Sequence, residues 1–158
     1  MNSLSKAIAT ALGAGYSPIA PGTCGTAVTV PLVFALSALP VWQYSLVLAL
    51  VIAAGIWAAD RADRAWGTHD AQRIVIDEVA GYMLTMTFVE RAHAVPLLVG
   101  FVVFRAFDII KPPPIRWLDQ HVEGGFGVML DDVAAGVLGM VTMIALDRFG
   151  ALAWMMSL

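Results

Sequence analysis

The sequence predicts an all-α protein: a compact helical bundle integral to a membrane, with about four spanning helices plus short or partly inserted helices. Composition is the first reason, since 59% of the residues are hydrophobic and 13% are charged, whereas a typical soluble domain has about 25% charged residues. Pattern is the second, since no stretch sustains the alternation of a β-strand and the helix formers Ala, Leu and Met are abundant. The length of 158 residues suits a single domain over residues 1–158.

Five apolar segments account for the predicted helices. In chain order they are 26–39, 41–59, 79–89, 94–107 and 133–146. Only 41–59 reaches the roughly 20 residues that a bilayer requires, and segments of about 10 to 14 residues are more typical of buried or partly inserted helices. The number of crossings therefore stays open, and a soluble or peripheral helical bundle is the alternative.

Charged residues are distributed unevenly between the connections. If the chain starts inside and crosses four times, every basic residue except Arg91 and Arg148 falls on the starting side, as expected of a cytoplasmic face. Every acid except Glu90 and Asp147 falls there too, which that rule does not require. We attribute the acids to function, with solvated surface connections as the alternative.

Several functional classes are disfavoured. The net charge of −3 offers no broad basic surface, so we expect no nucleic-acid partner. The single cysteine, Cys24, excludes an internal disulfide, and no histidine lies in a zinc-binding arrangement. His69 and His121 remain candidates for moving a proton.

The first polar block, residues 13–26, ends an apolar stretch with glycine and proline. Backbone N–H groups at Gly22 to Gly25 lead into a helix, and Thr23 and Thr26 supply hydroxyls, a geometry that suits an anion. A turn followed by a helix N-cap at Thr23 or Thr26 explains the same residues. Gly22, Thr23 and Thr26 are the predicted phosphate-binding residues of this block.

Two acidic doublets each precede an apolar helix. Asp77 and Glu78 open the segment that follows, and Asp131 and Asp132 open another. Either doublet alone could simply interact with the helix dipole. Brought together, the two pairs would form the hard oxygen cage that Mg²⁺ prefers.

The third block combines cations with a carboxylate. Arg105, Asp108 and Lys111 are spaced at i, i+3 and i+6, so they share one helix face if the helix persists to Lys111, before the prolines at 112–114 stop it. The alternative is a simple pairing within the helix, worth a few tenths of a kcal/mol when exposed. The glycines of 124–127 then let the chain turn back toward the second doublet.

The sequence stretches PGTCGT, IVIDEVAG, FRAFDIIKPPPIRWLD and GGFGVMLDDVAAG together resemble the phosphatidylglycerophosphatase A family, in that family's order and over nearly the whole chain. The resemblance implies an all-helical, Mg²⁺-dependent lipid phosphatase. Its substrate would be phosphatidylglycerophosphate, its products phosphatidylglycerol and inorganic phosphate, and its place the bacterial cytoplasmic (inner) membrane with the active site facing the cytoplasm. By position, it assigns catalysis and metal binding to Asp77, Glu78, Asp108, Asp131 and Asp132, and catalysis also to Lys111.

We therefore hypothesise that some of these acids hold Mg²⁺ against the terminal phosphate while another orients water. Lys111, Arg105 and residues 21–26 would neutralise the developing charge. A covalent aspartyl-phosphate on Asp108 or Asp131 is the competing route. A small cation transporter and a non-catalytic membrane subunit are the alternative functions, and the sequence leaves the oligomeric state open.

Overall fold

Helices make up most of residues 2–67 and 71–157, the parts described by a computed structural model, and these ranges contain no β-strand. The predicted all-α class is confirmed. The elements are α1 (Ser3–Ala9), a 3₁₀ segment (Ala11–Tyr16), α2 (Pro21–Ala35), α3 (Val41–Trp66), α4 (Ile76–Thr85), α5 (Ala94–Ile110), α6 (Ile115–His121), α7 (Gly124–Arg148) and α8 (Ala151–Met156). The predicted proton-transfer candidate His69 lies outside the described residues.

The central contact of the fold is between α4 and α7. A Cβ at Gly136 would lie 2.6 Å from the carbonyl oxygen of Gly81, and one at Gly81 would lie 2.7 Å from the carbonyl oxygen of Asp132. Because neither glycine carries a side chain, the two backbones can approach this closely. The approach brings the start of α4, with Asp77 and Glu78, beside Asp132.

Glycines also allow α3 and α7 to pack closely against each other. A Cβ at Gly125 would overlap the backbone of Ile56, and one at Gly55 would lie 2.7 Å from the sulfur of Met129. The predicted turn at 124–127 is therefore mostly helix, since α7 already begins at Gly124, where φ is +73°. Gly125 serves close packing, not a change of direction.

Fewer helices than predicted can cross a bilayer. Within the described residues, α3 and α7 are long and apolar enough, by length and composition. Helix α4 ends after 10 residues and α2 after 15. Helix α5 spans 17 residues and stops before the prolines at 112–114. The estimate of about four crossings is thus reduced to two candidates.

The outer faces of the long helices expose large apolar side chains. Leu46 and Leu50 on α3 are 55% and 63% exposed, Leu98 and Val102 on α5 are 61% and 65% exposed, and Val141 on α7 is 57% exposed. Only 22% of the most apolar stretch of α3 is buried, whereas the core helix of a soluble protein is mostly buried. Exposed apolar surface of this kind marks contact with lipid or with another protein.

Arg91 closes the C-terminal end of α4. Its guanidinium is buried, donates to the carbonyl oxygens of Thr87 at 2.7 Å and Leu39 at 3.0 Å, and lies 4.3 Å from the ring centre of Tyr44. The Tyr44 hydroxyl in turn donates to the carbonyl of Met83 at 2.8 Å. Orphan carbonyls at the end of α4 are satisfied in this way.

Candidate active site

A polar cavity of about 470 Å³ lies where the first turns of α2 and α4 meet the end of α5 and the first half of α7. Its ionisable lining residues are the predicted acids and cations: Asp77, Glu78, Arg105, Asp108, Lys111, Asp131 and Asp132. Residues distant in sequence therefore share one pocket. The cavity is possible because α4 and α7 start at this end of the bundle and α5 finishes there.

Three of the carboxylates form a cluster. Asp77, Glu78 and Asp132 each offer one oxygen, and these oxygens all lie within 4.8 Å of one another. Asp132 is 3% exposed, and both its Oδ2 and the Oε2 of Glu78 are buried without a hydrogen-bond partner among the described residues. Buried carboxylates in this state are costly unless a cation compensates them. The donor set consists of hard oxygens, so the residues fit a small divalent cation such as Mg²⁺.

The protonation of Glu78 reflects this crowding. Burial raises the pKa of Glu78 to about 8; the Asp77 hydrogen bond and the Arg105 charge oppose that rise, while the charges of Asp132 and Asp108 add to it. The shift means that, without a cation, Glu78 holds a proton at neutral pH.

Arg105 links two of the acids. Its guanidinium contacts the Asp108 carboxylate one turn away and lies 3.8 Å from Oε1 of Glu78, with all three side chains largely buried. The intrahelical pairing considered from the sequence is therefore present, but in a buried setting. A Cβ at Gly22 would overlap the Glu78 carboxylate and lie 3.3 Å from Nη1 of Arg105. An added side chain at Gly22 would displace the Glu78 carboxylate from this position.

Lys111 does not share a helix face with Asp108. Helix α5 ends at Ile110, and Lys111 takes a left-handed conformation with φ +45°. Its ammonium donates to Asp119 at 2.6 Å and to Asp131 at 2.7 Å. Burial lowers the pKa of Lys111, but these two hydrogen bonds outweigh burial and raise it overall. The lysine stays charged beside the acids.

Asp119 is the residue that sequence reasoning missed. It lies on α6 and pairs with the Lys111 ammonium, which also pairs with Asp131. The stretch WLD was part of the third block, but nothing in its spacing marked Asp119 as a partner of the lysine. Gln72 also lines the cavity without any motif to indicate it.

The predicted phosphate-binding turn is only partly at the cavity. Gly22 lines it, whereas Thr23 and Thr26 are not among its lining residues. The Thr26 hydroxyl is buried and donates to the carbonyl of Gly22 at 3.1 Å. Pro21 starts α2 earlier than predicted, as proline favours the first helical position, so both threonines fall inside the helix and neither is its N-cap.

The proton-transfer candidate His121 and the single cysteine, Cys24, do not line the cavity. The exposed His121 ring stacks on Trp117 with ring centres 4.8 Å apart, and its Nδ1 lies 2.8 Å from the Trp117 carbonyl. The Cys24 thiol lies 3.2 Å from the Ser17 hydroxyl. Neither geometry assigns them a role at the acids.

Comparison with known sequences identifies the family. The family described as phosphatidylglycerophosphatase A matches residues 7–147. A phosphatidylglycerophosphatase A of Escherichia coli is 41% identical over 132 residues, covering 83% of this chain and 76% of that protein. One of Haemophilus influenzae is 35% identical over 141 residues, covering 89% of this chain and 86% of that protein.

A third relative carries a different name. A putative phosphatidylinositol-3-phosphatase of Bacteroides thetaiotaomicron is 37% identical over 156 residues, covering 90% of this chain and 92% of that protein. No solved structure matches the chain. The resemblance read from the four motifs is confirmed: the chain belongs to the phosphatidylglycerophosphatase A family and is a phosphoric monoester hydrolase.

Proposed function

We propose that this protein is a Mg²⁺-dependent lipid phosphatase that hydrolyses phosphatidylglycerophosphate to phosphatidylglycerol and inorganic phosphate at the cytoplasmic face of a bacterial membrane. The observation that carries the proposal is the single cavity in which the Asp77, Glu78 and Asp132 cluster meets Arg105 and Lys111. Relatives bearing the name of this activity support the substrate.

Charge balance supports the metal. Five carboxylates line the cavity against two cations, and the substrate phosphate adds further negative charge. Such a site would repel its substrate unless a divalent cation or bound protons compensated the excess. We assign Mg²⁺ to Asp77, Glu78 and Asp132, where it would polarise the phosphoryl oxygens and acidify a bound water.

The chain's own residues have separable roles. Arg105 and Lys111 would bind the phosphate oxygens and stabilise the charge that builds up as the phosphorus–oxygen bond to glycerol breaks. Each cation is held by a carboxylate, Arg105 by Asp108 and Lys111 by Asp131, so both are oriented before substrate arrives. Asp108 or Asp131 would accept the proton of the attacking water and, now protonated, would deliver it to the leaving glycerol oxygen.

The same two aspartates could instead attack phosphorus directly. Borohydride reduction of a rapidly quenched single turnover separates the routes: an aspartyl-phosphate is reduced to homoserine at that position, whereas direct hydrolysis leaves both aspartates unchanged. Mass spectrometry of the peptides that contain Asp108 and Asp131 measures this.

We propose that the protein inserts into a bilayer because α3 and α7 are long and apolar, and because α3, α5 and α7 expose large apolar side chains. The cytoplasmic orientation is proposed on the basic residues that accompany the acids at the cavity end of the bundle. A lipid substrate would then present its phosphorylated head at that end.

Phosphate release from phosphatidylglycerophosphate in mixed micelles tests the function. We expect activity with Mg²⁺, loss with EDTA, and a loss of about 100-fold or more in Asp132→Asn, since that change removes a metal-holding carboxylate. Asp60→Asn is the matched control, because Asp60 is a partly exposed acid of α3 that pairs with Arg64 and does not line the cavity. A folded wild type that releases no phosphate would refute the proposal.

Phosphatidylinositol 3-phosphate is the second candidate substrate, favoured by the name of the Bacteroides relative. Comparing kcat/KM for both lipids under identical conditions decides between them. Family membership favours an enzyme over the cation transporter and the non-catalytic subunit considered from the sequence.

A further inference from the structure

A second cavity of about 760 Å³ lies further along α2 than the acids, with Val28, Thr29 and Leu32 in its lining. We call it the apolar groove; it is formed by α1, the 3₁₀ segment and α2 to α4, with Leu12, Val28, Leu32, Leu50, Val51 and Ala54 among its lining residues. Thr29 is its one lining residue with a polar side chain, and that hydroxyl already donates to the carbonyl of Gly25 at 2.8 Å. The groove therefore offers no free polar side chain to a ligand.

The groove and the acidic cavity share two helices. On α4, Ile76 and Val79 line the groove while Asp77 and Glu78 line the cavity, so opposite faces of one helical turn serve the two spaces. On α2, Gly22 lies at the cavity and Leu32 at the groove, about 15 Å further along the helix at 1.5 Å per residue.

The depth of the groove follows from α3. A Cβ at Gly55 would lie 3.3 Å from the Ile76 side chain, which places this part of α3 at the level of the acids. From Ala54 to Val47 the groove-lining face of α3 extends about 10 Å away from the charged end. Both α2 and α3 thus carry the groove from the level of the cavity into the apolar part of the bundle.

We propose that the apolar groove holds one acyl chain of the lipid whose phosphate occupies the acidic cavity. This inference rests on the proposed function. The occupant follows from the shared walls, the matching depth and the apolar lining, and the volume lies in the range of sites that enclose a small ligand. The glycerol groups of the substrate would pass around the start of α2, where Gly25 packs tightly on Val75.

The groove aligns the substrate more than it attracts it. A lipid chain that leaves the bilayer for the groove exchanges one apolar environment for another, so little hydrophobic free energy is gained. What the groove supplies is a fixed path for one chain, which limits how the head can rotate at the acids.

Filling the groove tests this role. We expect Val47→Trp to lower kcat/KM for a long-chain substrate by about tenfold and to change that for a dihexanoyl substrate by less than about twofold. Val47 lies about 12 Å along α3 from Gly55, so a short chain does not reach the blocked part. Val141→Trp makes the same change on the exposed face of α7, outside the groove, and should leave both values near wild type. Equal effects of the two variants, or equal effects on both substrates, would overturn the proposal.

A second measurement uses the unaltered protein and does not need turnover. A phosphonate analogue of the substrate, with a diazirine near the end of one acyl chain, is photolysed in the presence of Mg²⁺. We expect labelled peptides from 28–32 and 47–54 above the level at 98–102, an exposed face of α5. Uniform labelling of exposed faces would overturn the groove assignment even if Val47→Trp failed to fold. Absence of phosphate release by the wild type would instead refute the proposed function, which the label pattern does not measure.

Discussion

At Glu78 two requirements conflict, because burial favours the protonated acid while a cation site needs the carboxylate. The pKa of Glu78 is raised from its usual 4.5 to about 8, mainly by burial. At a pH between these two pKa values, Glu78 is ionised in the unfolded chain and protonated in the folded chain. The folded state therefore binds more protons, and its stability falls as pH rises through this window.

Glu78→Gln should stabilise the metal-free protein at the top of this window. The amide cannot ionise, so the variant's advantage in unfolding free energy should grow from pH 4.5 to about 8 and reach at most about 5 kcal/mol. Thermal unfolding in EDTA across this range measures the effect. Mg²⁺ should raise the melting temperature of the wild type at pH 8 and leave that of the variant nearly unchanged.

Glu90→Gln is the matched control for this change. Glu90 is exposed and accepts a hydrogen bond from the backbone of Ala92. Its variant should show no comparable growth in stability with pH. If Glu78→Gln also showed no growth in stability with pH, the buried Glu78 carboxylate would not be the cause of the loss of stability at high pH.

At the scale of helices, glycine contacts decide whether the acids meet. The Gly81–Gly136 crossing places α4 against α7 with backbone on both sides, so neither helix can yield to an added side chain. At Gly139 the neighbour is the side chain of Thr85, whose hydroxyl would lie 2.6 Å from an added Cβ. A side chain can rotate, whereas a packed backbone must shift.

Gly136→Ala should therefore be more harmful than Gly139→Ala. We expect Gly136→Ala to cost about 1–3 kcal/mol of stability and to weaken Mg²⁺ binding, because it separates Glu78 from Asp132. Chemical denaturation and Mg²⁺ titration of both variants provide the measurements. Equal losses of metal affinity in the two variants would show that the crossing does not set the distance between the acids.

The boundaries of these helices show what the sequence could predict. Apolar segments and proline stops located α2 to α5 and α7 approximately, because burial and backbone sterics are local in origin. The early start of α2 at Pro21 and the left-handed Lys111 were missed, as was the helical state of Gly125. The start of α2 follows the local preference of proline for the first helical position. Lys111 and Gly125 depend on contacts with other helices that spacing along the chain does not reveal.

The ionisable residues that line the cavity were predictable, but their pairing was not, and neither was the role of Asp119. The doublets and the cations were chosen because buried charge needs compensation, and all of them line one cavity. That Asp119 would share Lys111 with Asp131 required α6 to fold back against α7. Such a return path is set by tertiary structure and has no periodic signature.

At the scale of the whole molecule, we expect different solvent access at two surfaces. These are the exposed apolar faces of α3, α5 and α7 and the charged end of the bundle that contains the cavity. In a Cys24→Ser background, Val102→Cys on the outer face of α5 should resist a membrane-impermeant maleimide in vesicles. Arg64→Cys, at the exposed end of α3, should react only from the cytoplasmic side. Equal reactivity of the two cysteines in intact membranes would contradict insertion, and labelling after denaturation controls for thiol reactivity.

Because the polar cavity lies at one end of an otherwise apolar bundle, hydrolysis there would sort its products by phase. Inorganic phosphate would diffuse into the aqueous compartment in three dimensions, while the dephosphorylated lipid would spread sideways within its leaflet. The two halves of the substrate would then seldom meet again at the same acids. Recombination would be suppressed by dilution, and feedback from the lipid product would depend on its surface density, not on the volume of the cell.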